Sequence, residues 1–335
     1  MKNKPVIAVV GATGLVGSEM IAVIEQLKVP FSEVRLLASQ DSVGEVYKVG
    51  DQESVVEVLD ENSFKEVDIA LFATSAELAK KFVPIAVEQG AFAIDNSRQF
   101  RMDKDVPLVV PEVNWHLVSD KTRLIANPNC STIQLVPVLK AAHELAGLKR
   151  VVVSTYQAVS GAGKAALDEL WAQTVAVCNQ KDIPIEEFQH QIAFNCIPQI
   201  DVILEDGYTR EEYKIINESR KILGLPELRI TATAVRVPVF HGHAESVNIE
   251  TERELSPEAF LRELGQREGI EAYPAADEYP MQINTASTDT IQVGRVRRDE
   301  SVAHGLNCWI VADNVRKGAA LNAVQIAKRL IEKFA

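Results

Sequence analysis

Val6-Ile7-Ala8-Val9-Val10-Gly11-Ala12-Thr13-Gly14-Leu15-Val16-Gly17 joins an unbroken apolar run to three evenly spaced glycines. The apolar run fits a strand covered on both faces, and the helix-period stretch from Ser18 to Leu27 fits a helix packed on it. Glycines at such a turn let the backbone bend sharply and approach a phosphate, to which the helix start offers free N–H groups. The spacing is a GxxGxxG variant of the dinucleotide fingerprint. A tight turn with no ligand is the plainer alternative, and the position directly after the first strand argues against it.

The same rhythm continues outward from this turn. Val34 to Ala38, Ile69 to Ala73, Ala91 to Ile94, Leu108 to Val110 and Leu124 to Ala126 read as strands, with a helix from Glu77 to Gln89 stopped by Gly90. Nearly continuous apolar strands alternating with helices predict a parallel sheet covered on both faces. After about Arg150 the texture changes: Val151 to Tyr156, Thr231 to Val239, Ser246 to Glu250 and Ile291 to Val296 read as longer, alternating strands. Helices are expected near Ala165–Cys178, Glu211–Leu223 and Pro257–Leu264, and an amphipathic helix from Lys317 to Phe334 is expected to return to the first domain. At 335 residues the chain suggests two domains, given a prior of about 100–200 residues each.

Composition excludes several classes of function. The chain is 47% hydrophobic and 24% charged, as a folded protein is and a disordered or fibrous one is not. No apolar run approaches the ~20 residues that cross a bilayer, and Met1 to Pro5 leads straight into a strand, so neither a signal sequence nor a membrane partner is expected. A net charge of −12 argues against nucleic acid and anionic membranes, so any bound anion needs a local basic pocket. Cys130, Cys178, Cys196 and Cys308 stand far apart, which suggests no disulfide framework, no zinc site and a reducing, cytoplasmic setting.

One of these cysteines stands apart. Asn127-Pro128-Asn129 favours a turn and a cap, which places Cys130 at the start of a helix-period run, where the helix dipole stabilises a thiolate. Pro137 inside that run should kink it. Cys178, Cys196 and Cys308 read as small buried hydrophobes. A thiolate nucleophile needs a base, and His243, at the end of an apolar strand beside Gly242, is the histidine that stands out.

These residues together resemble the aspartate-β-semialdehyde dehydrogenase family. The likeness lies in Gly11-Ala12-Thr13-Gly14, Pro111-Glu112-Val113-Asn114, Asn127 to Thr132, Gln157 to Lys164, Gln191 to Asn195, Arg236 to His243 and Asp313 to Ala319, spread over nearly the whole chain. The resemblance implies reduction of β-aspartyl phosphate by NADPH to aspartate semialdehyde and phosphate, early in lysine (diaminopimelate), methionine, threonine and isoleucine synthesis. It assigns Cys130 as nucleophile, His243 as acid and base, and Gln157 as the group that orients the acyl carbon. Arg236 would clamp the substrate α-carboxylate, Glu211 its amino group, and Lys214 with Arg101 its phosphate. Gly11, Thr13, Gly14, Leu15 and Val16 would meet the cofactor pyrophosphate, Asp41 and Ser42 its ribose, and Ser160, Gly161 and Asn314 its nicotinamide half.

The chain departs from the family at Gln40-Asp41-Ser42, where many relatives carry an arginine between two serines. An aspartate there suits a ribose 2′-hydroxyl better than a 2′-phosphate. NADP is therefore expected with NAD tolerated. The Gly-Cys-Tyr-Pro motif of N-acetylglutamyl phosphate reductase and the glyceraldehyde-phosphate dehydrogenase signature are both absent. A cofactor-binding pseudoenzyme, the reading from another class, is opposed by the retention of Cys130, His243, Gln157 and Arg236.

The fold expected is α/β: a Rossmann-type dinucleotide-binding domain, residues 1–130 with 313–335, plus an α+β catalytic and dimerisation domain with a mixed sheet, residues 131–312. The site is expected between them, with no metal. An exposed sheet face implies at least a homodimer and leaves a tetramer open.

Overall fold

The computed structural model describes residues 2–334. In chain order the elements begin with β1 (Val6–Val10), α1 (Leu15–Gln26), β2 (Glu33–Ala38), β3 (Val46–Val49), β4 (Gln52–Val58), β5 (Ile69–Phe72), α2 (Ala76–Glu88), β6 (Phe92–Asp95), α3 (Pro111–Asn114) and β7 (Leu124–Ala126). They continue with α4 (Cys130–Ala146), β8 (Leu148–Gln157), α5 (Lys164–Cys178), α6 (Arg210–Leu223), β9 (Arg229–Arg236), β10 (His243–Thr251) and α7 (Pro257–Leu264). The last are β11 (Ile270–Ala272), β12 (Ile291–Asp299), β13 (Gly305–Ala312) and α8 (Asn322–Phe334). Two compact units result, one running to Asn129 and resuming at Ala319, the other spanning Cys130–Gly318.

The first unit is built on a seven-stranded sheet in the order β3-β4-β2-β1-β5-β6-β7, parallel except for the antiparallel β3–β4 pair. The unbroken apolar run of β1 follows from burial on both faces. Ile7 and Val9 join a core with Met20 and Ile24 of α1 and Val324 and Ile331 of α8, whereas Val6, Ala8 and Val10 join Phe82 and Val83 of α2 on the other face. Helix α1 begins at Leu15, earlier than its apolar period suggests, because Gly14 ends the turn and Ser18 bonds back to Gly14 O at 2.9 Å from within the helix.

Several elements differ from the sequence reading. Leu108 makes an isolated bridge to Ala126 and no strand. The β3–β4 ribbon and the strands β11 and β13 escaped the reading; β4, Gln-Glu-Ser-Val-Val-Glu-Val, buries only Ser54 and Val56, so it carries little of the apolar signal of a strand. The predicted Lys317–Phe334 helix divides into a π-helical turn, Arg316–Leu321, and α8. The wide turn arises because Gly318 N donates to Asp313 O, five residues back. Pro137 is accommodated within α4, which runs uninterrupted from Cys130 to Ala146.

The second unit has a six-stranded mixed sheet, β11-β12-β13-β10-β8-β9. β8 pairs antiparallel with β10 and parallel with β9. Val151, Val153, Thr155 and Gln157 of β8 turn to the covered face, as do Ile230, Ala232, Ala234 and Arg236 of β9 and His243, Glu245, Val247 and Ile249 of β10. α4 lies over this face, against β8, β10 and β13. The strand expected to run to Val239 stops at Arg236, and the chain re-enters the sheet at His243 after a loop containing Pro238, which has no N–H for a ladder.

Gly17 tests the glycine turn. An added Cβ would lie 2.8 Å from Gly11 C and 2.9 Å from Ala12 Cα. Helix propensity favours alanine by about 1 kcal/mol, but overpacking against rigid backbone costs about 1–3 kcal/mol. Gly17→Ala should therefore lower the thermal midpoint; a rise would mean that the turn is looser than described.

Candidate active site

Three strand ends and one helix start assemble the chemistry of the second unit. The β8–β9 register sets Gln157 beside Arg236, and the β8–β10 register sets Tyr156 opposite Ala244, the residue after His243. All three side chains are buried. Ala158, the residue that follows β8, orients two of them. Its N–H donates to His243 Nδ1 at 3.1 Å, and its carbonyl accepts from Arg236 Nη1 at 2.7 Å. A ring nitrogen that accepts a backbone N–H carries no proton, so the neutral imidazole bears its proton on Nε2. Gly161 lies where both groups converge: a Cβ there would stand 3.1 Å from His243 Nε2 and 3.2 Å from Arg236 Nη1.

Cys130 is the first residue of α4, partly exposed, and Gly318 packs on it so closely that a Cβ would lie 2.9 Å from Cys130 Cβ. The next residue, Ser131, accepts a short hydrogen bond from Gln157 Nε2, which ties the helix start to the end of β8. Gln157 Nε2 also donates to Glu211 Oε1 at 3.2 Å. Glu211 belongs to the first turn of α6, whose start is fixed by a capping box between Thr209 and Glu212. Glu212 Oε1 in turn accepts from Ala234 N of β9 at 3.0 Å, two residues before Arg236. Lys214 Nζ donates to Glu211 Oε2 at 2.8 Å and to Asp201 Oδ2 at 3.0 Å.

Burial and neighbouring charge set the protonation states. Burial, reinforced by the Arg236 charge, pushes His243 down to about 3. Burial also lowers Arg236, opposed by Glu211 and Cys130. Burial would lower Lys214, but Glu211 and Asp201 outweigh it and hold the ammonium above its usual value. The arrangement combines a thiol at a helix start, a neutral imidazole that donates from Nε2, and a buried guanidinium, the ingredients of nucleophilic acyl chemistry on an anionic substrate.

The remaining predicted residues fall into two groups. In the second unit Ser160 and Asn314 bond each other, with Asn314 Nδ2 donating to Ser160 Oγ at 3.0 Å and Gly242 N donating to Asn314 Oδ1 at 2.9 Å. Asp313 and Asn314 therefore belong with the second unit, whereas the sequence reading put residues 313–318 with the first. In the first unit Gly11 has φ +81° and Gly14, which has no side chain, is the cap of α1, so no cap side chain bonds the first N–H groups of the helix. That cradle, with Leu15 and Val16 in the first turn, fits a dinucleotide pyrophosphate. Thr13 Oγ1 and Ser42 Oγ lie 3.1 Å apart, and Asp41 is exposed on the 3-10 turn Gln40–Ser42. Arg101 is buried in the first unit, where Nη2 donates to Asn96 O at 2.8 Å.

No disulfide joins any of the four cysteines. Cys308 is buried as expected, whereas Cys178, at the end of α5, and Cys196, in a loop, are exposed. Among the described residues no His, Cys, Asp or Glu group could hold a metal, and no helix is long and apolar enough to cross a membrane. Sequence reasoning gave no role to the Ala158 peptide or Gly318, although both lie in quoted motifs, and missed Gln134, Asp201 and Glu245, which carry no motif signal.

A Rossmann-type unit paired with a mixed-sheet unit holding cysteine, histidine and arginine defines the class, the semialdehyde dehydrogenases. Residues 6–121 match the semialdehyde dehydrogenase NAD binding domain, and residues 139–317 match the semialdehyde dehydrogenase dimerisation domain. An aspartate-semialdehyde dehydrogenase of Aquifex aeolicus is 50% identical over 333 residues, with 98% of each chain covered. The crystal structure of aspartate semialdehyde dehydrogenase II from Vibrio cholerae superposes with a TM-score of 0.96 at 45% identity, covering 99% of this chain and 100% of that one. A second Vibrio cholerae structure, complexed with ASA, gives 0.96 at 44% identity, with 99% of each chain covered. The chain belongs to the aspartate-semialdehyde dehydrogenase family.

The bond from Ala158 to His243 makes a testable statement. With its value near 3, His243 stays neutral across the range of about pH 5–8 in which an ordinary histidine titrates. In NMR its ring resonances should not move over that range; a midpoint near the ordinary 6.5 would remove the tautomer assignment.

Proposed function

We propose that the protein reduces β-aspartyl phosphate to aspartate semialdehyde and phosphate through a thioester on Cys130, with NADP as cofactor and NAD tolerated. The observation that carries this reading is the convergence of His243 Nε2 and Arg236 Nη1 on Gly161, within the unit whose α4 begins at Cys130. Arg236 offers a planar fork for the substrate α-carboxylate, and Glu211 a carboxylate for its ammonium. The Cys130 thiolate attacks the acyl carbon, the carbon–oxygen bond to phosphate breaks, and Lys214 and Arg101 receive the leaving phosphate. Gln157 orients the acyl group. When bound, the nicotinamide would supply the hydride that reduces the thioester. The His243 Nε2–H hydrogen-bonds the oxygen that becomes negative and keeps its proton, and that oxyanion re-forms the carbonyl as the carbon–sulfur bond breaks, which returns the Cys130 thiolate and frees the aldehyde.

Gly11, Thr13, Gly14, Leu15 and Val16 would hold the pyrophosphate, with Ser160, Gly161 and Asn314 on the nicotinamide side. Asp41 and Ser42 would meet the ribose, where the Asp41 carboxylate repels a 2′-phosphate and accepts from a 2′-hydroxyl. Cytoplasmic location fits four cysteines that form no disulfide. A homodimer fits the matched dimerisation domain and the outer sheet face, where Tyr156 and Trp309 pack with ring centroids 5.3 Å apart and Tyr156 remains 37% exposed. We assign residues 1–129 with 319–335 to nucleotide binding and 130–318 to catalysis and dimerisation.

Two experiments test this reading. With aspartate semialdehyde, phosphate and either NADP or NAD, the protein should form reduced nicotinamide in a phosphate-dependent way, and Cys130→Ala should abolish it. Activity surviving in the mutant would remove Cys130 as nucleophile, and an NADP advantage of several orders of magnitude would refute NAD tolerance. Arg236→Lys keeps the charge but loses the fork, so KM for the semialdehyde should rise roughly 10- to 100-fold, the worth of a charged hydrogen bond. Unchanged saturation would place the carboxylate clamp elsewhere.

A further inference from the structure

A second buried polar row lies one step along the sheet from Gln157 and His243. Glu245 of β10 is in register with Thr155 of β8 on one side and Ile310 of β13 on the other. Its side chain is fully buried, as are those of Thr155 and Gln134. Gln134 follows Cys130 by one turn of α4; its amide faces Glu245, and its Nε2 donates to the His243 carbonyl at 3.4 Å. Both Glu245 carboxyl oxygens, Gln134 Oε1 and Thr155 Oγ1 are buried without a hydrogen-bond partner at bonding distance. Orphaned polar atoms grouped in one place call for an explanation.

Counting donors and acceptors supplies one. Gln134 Oε1 is an acceptor that needs a proton, and a carboxylate has none to offer. A carboxylic acid has one on its hydroxyl, and its carbonyl oxygen is an acceptor for the hydroxyl of Thr155, the residue set opposite by the register. The ionised form would set a bare charge among Val153, Val247 and Ile310, all buried, at a cost of several kcal/mol. The titratable group coupled to Glu245 is Cys308 of β13, a thiol that burial pushes up to about 12, so it brings no compensating charge. Burial likewise pushes the Glu245 carboxyl well above its ordinary range, outweighing a Gln134 interaction that favours the charged form.

We propose that Glu245 is a positioning residue, kept as the neutral acid, which through Gln134 locks the His243 backbone to the helix that begins at Cys130. The proposal rests on the roles given above to Cys130 and His243. Glu245 touches no substrate; its effect is on the distance and angle between nucleophile and acid. Losing the link should slow chemistry and leave substrate affinity unchanged.

The test compares Glu245→Gln, Glu245→Ala and Gln134→Leu in the full chain. Glutamine supplies the same donor and acceptor, so kcat should stay within about threefold, whereas Ala and Gln134→Leu should lower kcat about tenfold or more with KM unchanged. Two readouts do not depend on turnover. Infrared difference spectra of wild type against Glu245→Gln should contain a protonated-carboxyl band at neutral pH. The unfolded chain loses this proton above the ordinary 4.5 while the folded one keeps it, so wild-type stability should fall as pH rises, and Glu245→Gln should flatten that fall. The proposal is overturned if Glu245→Gln loses kcat as Ala does, or if the carboxyl band is absent. Should Glu245→Ala fail to fold, Glu245→Gln, Gln134→Leu and the infrared band decide. If the thioester reading fails, the band and the pH profile still judge the protonation of Glu245.

Discussion

The register of β8 between β9 and β10 is the constraint on which the second unit depends. Side chains alternate faces along a strand, so a slip by one residue would send Gln157, Arg236 or His243 to the outer face. What holds the register is the apolar set of the same parity: Val151 and Val153, Ile230, Ala232 and Ala234, and Val247 and Ile249, all buried. The polar residues are the continuation of this inward series towards one end of the strands. Packing and chemistry therefore share one periodicity, and burial of the valines and isoleucines places the histidine and the arginine.

Burying so many polar groups demands partners, and the structure supplies them through the main chain. One peptide, at Ala158, satisfies His243 through its N–H and Arg236 through its carbonyl. Glu212 does the same for the start of α6 and for Ala234, which holds Glu211 within reach of Gln157. Removing one partner from a buried charged network costs about 3–5 kcal/mol, more than a third of the stability of many domains. Such a network tolerates few positions for its members.

The fold was largely legible because its decisive signals are local. The apolar β1, the glycine turn and α1 adjoin one another in sequence, and the two-faced burial of Val6–Val10 produces the pattern by which they were read. β4 was not legible because it buries only Ser54 and Val56 and so carries little apolar signal. Helix α8 was extended too far because the π-helical turn, caused by the bond from Gly318 to Asp313, leaves the apolar spacing almost intact. Among the candidate site residues, Cys130 is marked by a turn followed by a helix start and His243 by the end of an apolar strand beside a glycine, whereas Arg236 stands out only through the family resemblance. The role of the Ala158 peptide had no signal, since a backbone group acts through register and not through its side chain. Glu245 was hidden for a related reason: a carboxyl in a strand usually marks a solvated face, and only the structure shows this one turned inward.

The last point concerns charge. A chain of net charge −12 is an unpromising receptor for a substrate with a carboxylate and a phosphate. Yet at physiological ionic strength exposed charges are screened over about 8 Å, so the overall charge acts weakly on a ligand already in its site. Inside, screening is small, and one guanidinium acts at an effective dielectric far below that of water. Arg236 is buried among a main-chain carbonyl, a carboxylate and the cysteine, with Glu211 shared by Gln157 and Lys214. The acidic exterior thus acts on solubility and the rate of encounter, and in the proposed reaction the choice and orientation of the anion fall to the buried guanidinium.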